Sequence, residues 1–256
     1  MARLVDLTQS WGVLTPTWPY FPSTKVTNFH SHHRDGLQSQ IIETNMHSGT
    51  HVDAPQHFNP RGWWVHEIPL ERLYRPTVVV DLSPLVDDYS IVDREMFLAA
   101  AAKAPAIRKG DAVILYYNWH RFNWEGEEPD ETRYFCKCPG PSVDLVSYLL
   151  EEVEAPWIGA DAPSVEHPLW TAIRNYRPDL VEEMEQKFGK PIEELLPRRH
   201  FLQSHRRTAA RNVLLIENIG RGVDEIVNRR VMVGAFPWKF YRGESSICRL
   251  VAFLDE

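Results

Sequence analysis

Three histidines and one aspartate fall between residues 47 and 57 of this chain, in the run His47-Ser-Gly-Thr-His51-Val-Asp53-Ala-Pro-Gln-His57. Neutral imidazole nitrogens and a carboxylate are donors that suit zinc, manganese or iron. His51 and Asp53 stand two apart, so in an extended segment both project to the same side. His47 precedes His51 by four, a spacing a helix could use, but Gly49 lies between them and Pro55 follows soon after. The run therefore reads as a turn feeding a short extended piece, not as a helical His-Glu-x-x-His site. Chance enrichment competes with that reading, because His30, His32, His33, His47, His51, His57 and His66 all lie in the first 66 residues. The Gly-Thr step before His51 and the Ala-Pro step before His57 favour a metal cradle.

Three ligands rarely complete a catalytic centre, so further donors are expected from distant elements. His205 lies in a candidate helix, His200 to Arg211, and Glu217 ends a candidate strand, Asn212 to Glu217. Strand ends are where function sits in α/β folds. Other clusters carry weaker signals. His30-Ser-His32-His33-Arg34 reads as a polar surface turn, and Cys136, Cys138 and Cys248 read as unligated thiols. Arg198, Arg199, Arg206, Arg207 and Arg211 read as a solvated helix face. Trp11, Trp18, Trp63 and Trp64 flank the cradle and suit either a pocket wall or a core.

The elements that must position these groups follow from periodicity and capping. Strands are expected at 3–8, 39–45, 77–82, 110–117, 157–161, 212–217, 231–235 and 247–253, the second leading directly into the cradle. Helices are expected at 93–103, with Asp93 as N-cap, at 142–154 and at 200–211. Residues 9–25 form an irregular, Pro- and aromatic-rich arm, 121–141 a long loop, and 163–197 a region whose prolines keep helices short. Strands interspersed with helices predict an α/β fold with a mixed sheet, as one domain spanning 1–256.

With 43% hydrophobic and 25% charged residues, the chain has the composition of a soluble globular protein. A net charge of −7 argues against nucleic acid or an anionic membrane as partner. No run reaches the roughly 18 apolar residues of a membrane span. Three cysteines, an odd number, suit a reducing compartment, and the opening residues carry no long apolar stretch. A cytoplasmic location is the expectation.

The cradle also carries a family resemblance. His47 to His57 matches in full the pattern His-x-Gly-Thr-His-x-Asp-x-Pro-x-His of the cyclase-type metal-dependent hydrolases, which include bacterial kynurenine formamidase and isatin hydrolase. A Trp-Pro pair in the N-terminal arm, Trp18-Pro19, and a Gly-x-Asp-x-Pro-Ser segment, Gly159 to Ser164, are similar to the same family's. The resemblance implies a barrel-like mixed sheet flanked by helices, of the swivelling β/β/α type. It implies one or two divalent ions, zinc or manganese, held by His47, His51 and Asp53 and by His205 and Glu217, with Asp53 and Glu217 bridging. It further implies His57 as proton shuttle, Trp18 against an aromatic substrate, and a homodimer or higher oligomer. The activity implied is hydrolysis of a C–N bond in a formamide, lactam or cyclic imide by metal-activated water. A lactone or ester hydrolase, or a polyketide-type cyclase, is the alternative on the same site.

Overall fold

Alternate residues of the central strands face two different hydrophobic cores, and that alternation builds the architecture. The computed structural model describes residues 3–254; the expected domain span 1–256 runs two residues past this range at each end. Its strands are β1 (Arg3–Asp6), β2 (Lys25–His30), β3 (Ser39–Glu43), β4 (His51–Asp53), β5 (Tyr74–Asp81), β6 (Ile91–Val92), β7 (Ala112–Tyr116), β8 (Gly140–Pro141), β9 (Trp157–Ala160), β10 (Leu214–Glu217), β11 (Arg230–Pro237) and β12 (Ser245–Leu254). The longer helices are α1 (Arg94–Ala101), α2 (Val143–Glu151), α3 (Pro178–Phe188) and α4 (Gln203–Ala210).

The order β12-β11-β5-β7-β9-β10-β4 closes on itself because β4 also pairs with β12, while β1 adds to the outer edge of β12. The stretch β5-β7-β9-β10 is parallel and the rest antiparallel, so the barrel is mixed. Val79, Ile114, Trp157, Leu214, Ile216, Val233 and Ala252 fill one core with Val52. Their neighbours Val78, Val80, Val113, Leu115, Ile158 and Leu215 enter the other, against Phe97, Leu145, Leu149, Leu180 and Met184 of the helices. Successive side chains of a strand point to opposite faces. The first set therefore plugs the barrel and the second joins it to the helical layer.

The expected caps are present: Asp93 accepts from Met96 N at 2.8 Å and Ser142 from Leu145 N at 3.3 Å. Pro178 occupies the first turn of α3, where its missing N–H costs nothing, so here proline starts a helix instead of interrupting one. Two expectations need correction. Residues 39–43 do form a strand, but it pairs with β2 in a separate two-stranded ribbon and does not run on into the cradle. The stretch 121–141 is not all loop: Asp130 caps a helix at Glu131–Cys136 by accepting from Arg133 N at 2.9 Å. No described helix is long and apolar enough to cross a membrane.

Candidate metal centre

The barrel's closing strand carries the cradle. β4 is flanked by β10, with Glu217 opposite His51 and Leu215 opposite Asp53, and by β12, with Ser245 opposite Asp53. Val52 points into the barrel, so His51 and Asp53 on either side of it point outward, toward the helices. Glu217 shares the parity of Leu215 and faces the same way. Helix α4 lies over this patch and brings down His205, which is buried. Gly49 shapes the turn before β4: its φ is +61°, and a Cβ there would sit 3.0 Å from Trp11 Cδ1, so only glycine fits without strain.

All six predicted chemical side chains converge. His47 Nδ1 lies 2.9 Å and His51 Nε2 3.3 Å from Asp53 Oδ1. Across the same carboxylate, His205 Nε2 lies 3.6 Å from Asp53 Oδ2. Glu217 reaches both sides, with Oε2 3.6 Å from His51 Nε2 and Oε1 3.5 Å from His205 Nε2. Ligating atoms of His47, His51 and Asp53 fall within 4.8 Å of one another, and so do those of Asp53, His57 and His205. Two ligand atoms about 2.1 Å from one tetrahedral cation are roughly 3.4 Å apart, so these spacings suit donors that share an ion.

Hydrogen bonding makes the same point. His51 Nδ1–H donates to Gly49 O at 2.8 Å, which leaves Nε2 as a bare lone pair aimed at the cluster. That Nε2 and both oxygens of Asp53 are buried without a hydrogen-bond partner. A buried carboxylate costs several kcal/mol unless something compensates it, and the nearest group to Asp53 is the His47 ring, with Nδ1 2.9 Å from Oδ1. A divalent cation is the natural compensation, and the donor set fits one. Glu217 is held from behind by Ser164 Oγ at 2.9 Å and Val165 N at 2.8 Å.

Charge is strongly coupled across the cluster. Burial alone would lower the His47 pKa, but Asp53 and Glu244 reverse this and raise it to about 10. Burial likewise opposes charge on His205, yet Glu166, Glu217 and Asp53 raise it to about 9. Asp53, despite its burial, is held well below the ordinary carboxylate range by His47 and His57.

The cluster floors a cavity of about 260 Å³ whose walls include Pro16, Trp18, Phe21, Phe58, Phe135, Phe201 and Leu202. Trp18 meets Phe135 edge-on at a centroid distance of 6.1 Å. Among the described residues, no Lys or Arg side chain lines this cavity. Trp11 instead donates to Ser48 Oγ at 3.1 Å beside the Gly49 turn, and Trp63 and Trp64 are absent from the wall. His32 and His33 sit exposed in a short turn, and all three cysteines are free and buried.

Two carboxylates in the site escape sequence reasoning. Glu166, fully buried, lies 3.5 Å from His205 Nδ1 and accepts from Ser204 N at 2.8 Å. Glu244 Oε2 lies 2.9 Å from His47 Nε2 and 2.8 Å from His57 Nδ1. Glu166 stands two residues after the Gly159–Ser164 segment, so that segment was a usable pointer. Nothing in Arg242-Gly-Glu-Ser-Ser246 marks Glu244, which the pairing of β12 with β4 brings into place.

Residues 5–167 match the model of the Cyclase family, described as "Putative cyclase". The chain is 25% identical over 186 residues to isatin hydrolase of Roseibium aggregatum, covering 62% of this chain and 69% of that protein. It is 27% identical over 123 residues to kynurenine formamidase of Salinibacter ruber, covering 43% of this chain and 58% of that one. In fold it is similar to isatin hydrolase A from Labrenzia aggregata bound to benzyl benzoate, with a TM-score of 0.77 at 21% identity over 100% of this chain and 94% of the other.

Proposed function

The chain belongs to the Cyclase family, and from that premise we propose that it is a metal-dependent hydrolase cleaving a C–N bond in a small, neutral, aromatic substrate: a formamide, lactam or cyclic imide. The observation that carries this reading is a set of unpartnered, buried ligand atoms on His51 and Asp53 at the floor of an aromatic cavity. The relatives named isatin hydrolase and kynurenine formamidase support the bond type.

In this reading His47, His51 and Asp53 hold one ion, and Asp53, Glu217 and His205 are placed to hold a second. Such an ion polarises a carbonyl and lowers the pKa of a water toward about 7. The protein's own groups do the rest. Trp18, Phe21, Phe135 and Phe201 offer a planar substrate apolar contact, and with no Lys or Arg among the described lining residues a free carboxylate on the substrate would meet no cation outside the ligand cluster itself. His57 sits at the cavity edge with its Nδ1 occupied by Glu244 and its ring near Asp53 and His205. From there it takes a proton from water and returns it to the leaving nitrogen.

Purified protein loaded with zinc or manganese is to be assayed against isatin, N-formylkynurenine, simple cyclic imides and aromatic lactones. Turnover of the neutral C–N substrates is expected, and His57→Ala should retain the ion while losing about 100-fold or more in kcat. Hydrolysis confined to lactones, or full activity in His57→Ala, would refute the reading. A homodimer is part of the proposal, supported by Phe29, Ile41 and Ile42 exposed on the β2–β3 ribbon. Light scattering at assay concentration tests it, and a monomer would remove it.

A further inference from the structure

We propose that Glu244 is a positioning residue: its single oxygen Oε2 fixes the ring tautomers of both His47 and His57. The inference rests on the hydrolase reading for its kinetic arm and on geometry alone for its other arm.

Glu244 is carried into place by the seam of the barrel. Its carbonyl accepts from Ala54 N at 3.0 Å, one residue past Asp53, and the next residue, Ser245, stands opposite Asp53. From that anchor Oε2 lies 2.8 Å from His57 Nδ1 and 2.9 Å from His47 Nε2. Ser245 Oγ donates to the other oxygen, Oε1, at 3.0 Å, which holds the carboxylate plane. A carboxylate oxygen only accepts, so each facing ring nitrogen must carry its hydrogen. For His47 the hydrogen on Nε2 leaves Nδ1, the atom 2.9 Å from Asp53 Oδ1, as the nitrogen that can give up its proton to a cation in the cradle. For His57 it leaves Nε2 bare, on the side of the ring away from Glu244. A histidine whose lone pair is wanted at a fixed point is routinely held this way from behind. Here one carboxylate serves two rings, 4.2 Å apart between centroids.

The test uses the intact protein loaded with zinc, which is diamagnetic, and three variants. Glu244→Met keeps bulk without an acceptor, Glu244→Ala removes both, and Glu244→Gln keeps a carbonyl acceptor. Two-bond 15N–1H correlation of labelled histidine reads each ring's tautomer without any substrate. Wild type should show His57 as Nδ1–H; the Met and Ala variants should lose that tautomer, and Gln should keep it. At saturating zinc all four should hold the same amount of metal. On any substrate that turns over, kcat should fall about 10- to 100-fold in Met and Ala with KM little changed, and recover at least partly in Gln. An unchanged His57 tautomer in both the Met and Ala variants overturns the proposal, and so does a Gln variant as impaired as Met. Loss of zinc from the Met and Ala variants also overturns it, making Glu244 a ligand instead. Because the tautomer is read without substrate, failure of the hydrolase reading leaves this inference separately decidable.

Discussion

If an ion fills this site as proposed, removing it should leave a proton in its place, and the proton can be weighed. His47 is raised to about 10 by Asp53 and Glu244 against the opposing effect of burial. At pH 7 the metal-free ring is then charged in all but about one molecule in a thousand. A cation can bind only a bare nitrogen, so it must displace that proton. Holding His47 three pH units below its midpoint costs the incoming ion about 4 kcal/mol, at 1.36 kcal/mol per unit. The sign follows: affinity climbs as pH rises, about tenfold per unit for each proton displaced, until the raised midpoint is passed. An ordinary histidine site, near 6.5, would be flat above about pH 7.5. His205, raised to about 9, adds a second displaced proton if an ion also fills its side. The assay is a zinc titration of chelator-stripped protein at pH 7 to 8.5, paired with an NMR titration of the His47 ring in the stripped protein. A ring midpoint near 6.5, or affinity that does not change with pH, would refute the electrostatic reasoning.

Three further outcomes test other parts of the site. Asp53→Asn should bind neither ion, because the carboxylate lies between both ligand groups; elemental analysis showing unchanged metal content would contradict this. Gly49→Ala forces a Cβ to within 3.0 Å of Trp11 at φ +61° and should cost roughly 1–3 kcal/mol, seen as a lowered melting temperature with weakened metal retention. Trp18→Ala should raise KM for an aromatic substrate about fivefold, roughly 1 kcal/mol of stacking, with kcat little changed; a fall in kcat at constant KM would show that Trp18 does something other than bind.

What the sequence makes legible here is local, and what it hides is non-local. The two-residue spacing of His51 and Asp53 sufficed to predict a shared face, because strand parity needs no partner. The caps Asp93 and Ser142 announce their helices within three residues. Composition could recognise 39–43 as a strand but not choose its neighbour: a β-branched run pairs equally well with β2 as with anything in the barrel, and the choice is tertiary. The helix at Glu131–Cys136 was hidden by the polar, Pro-containing stretch around it, although Asp130 is an ordinary N-cap. Glu244 stands 197 residues from the His47 ring it holds. Only the register of β12 on β4 joins them, and no motif encodes a register. His205 and Glu217 were reachable because their spacing resembles a known pattern; the structure supplies the physical link, a helix laid over the outer face of one strand.

The cradle strand is three residues long, yet it is zipped to a neighbour on each flank and shuts the cylinder. Its backbone amides should therefore exchange with solvent only when the whole molecule comes apart, and not through local breathing. A substitution in this strand would disturb two things at once, the closure of the barrel and the cluster of donor side chains. The segments bearing Trp18, Phe21 and Phe201 carry no such double duty. A laboratory seeking new specificities can re-cut those walls and leave the floor untouched.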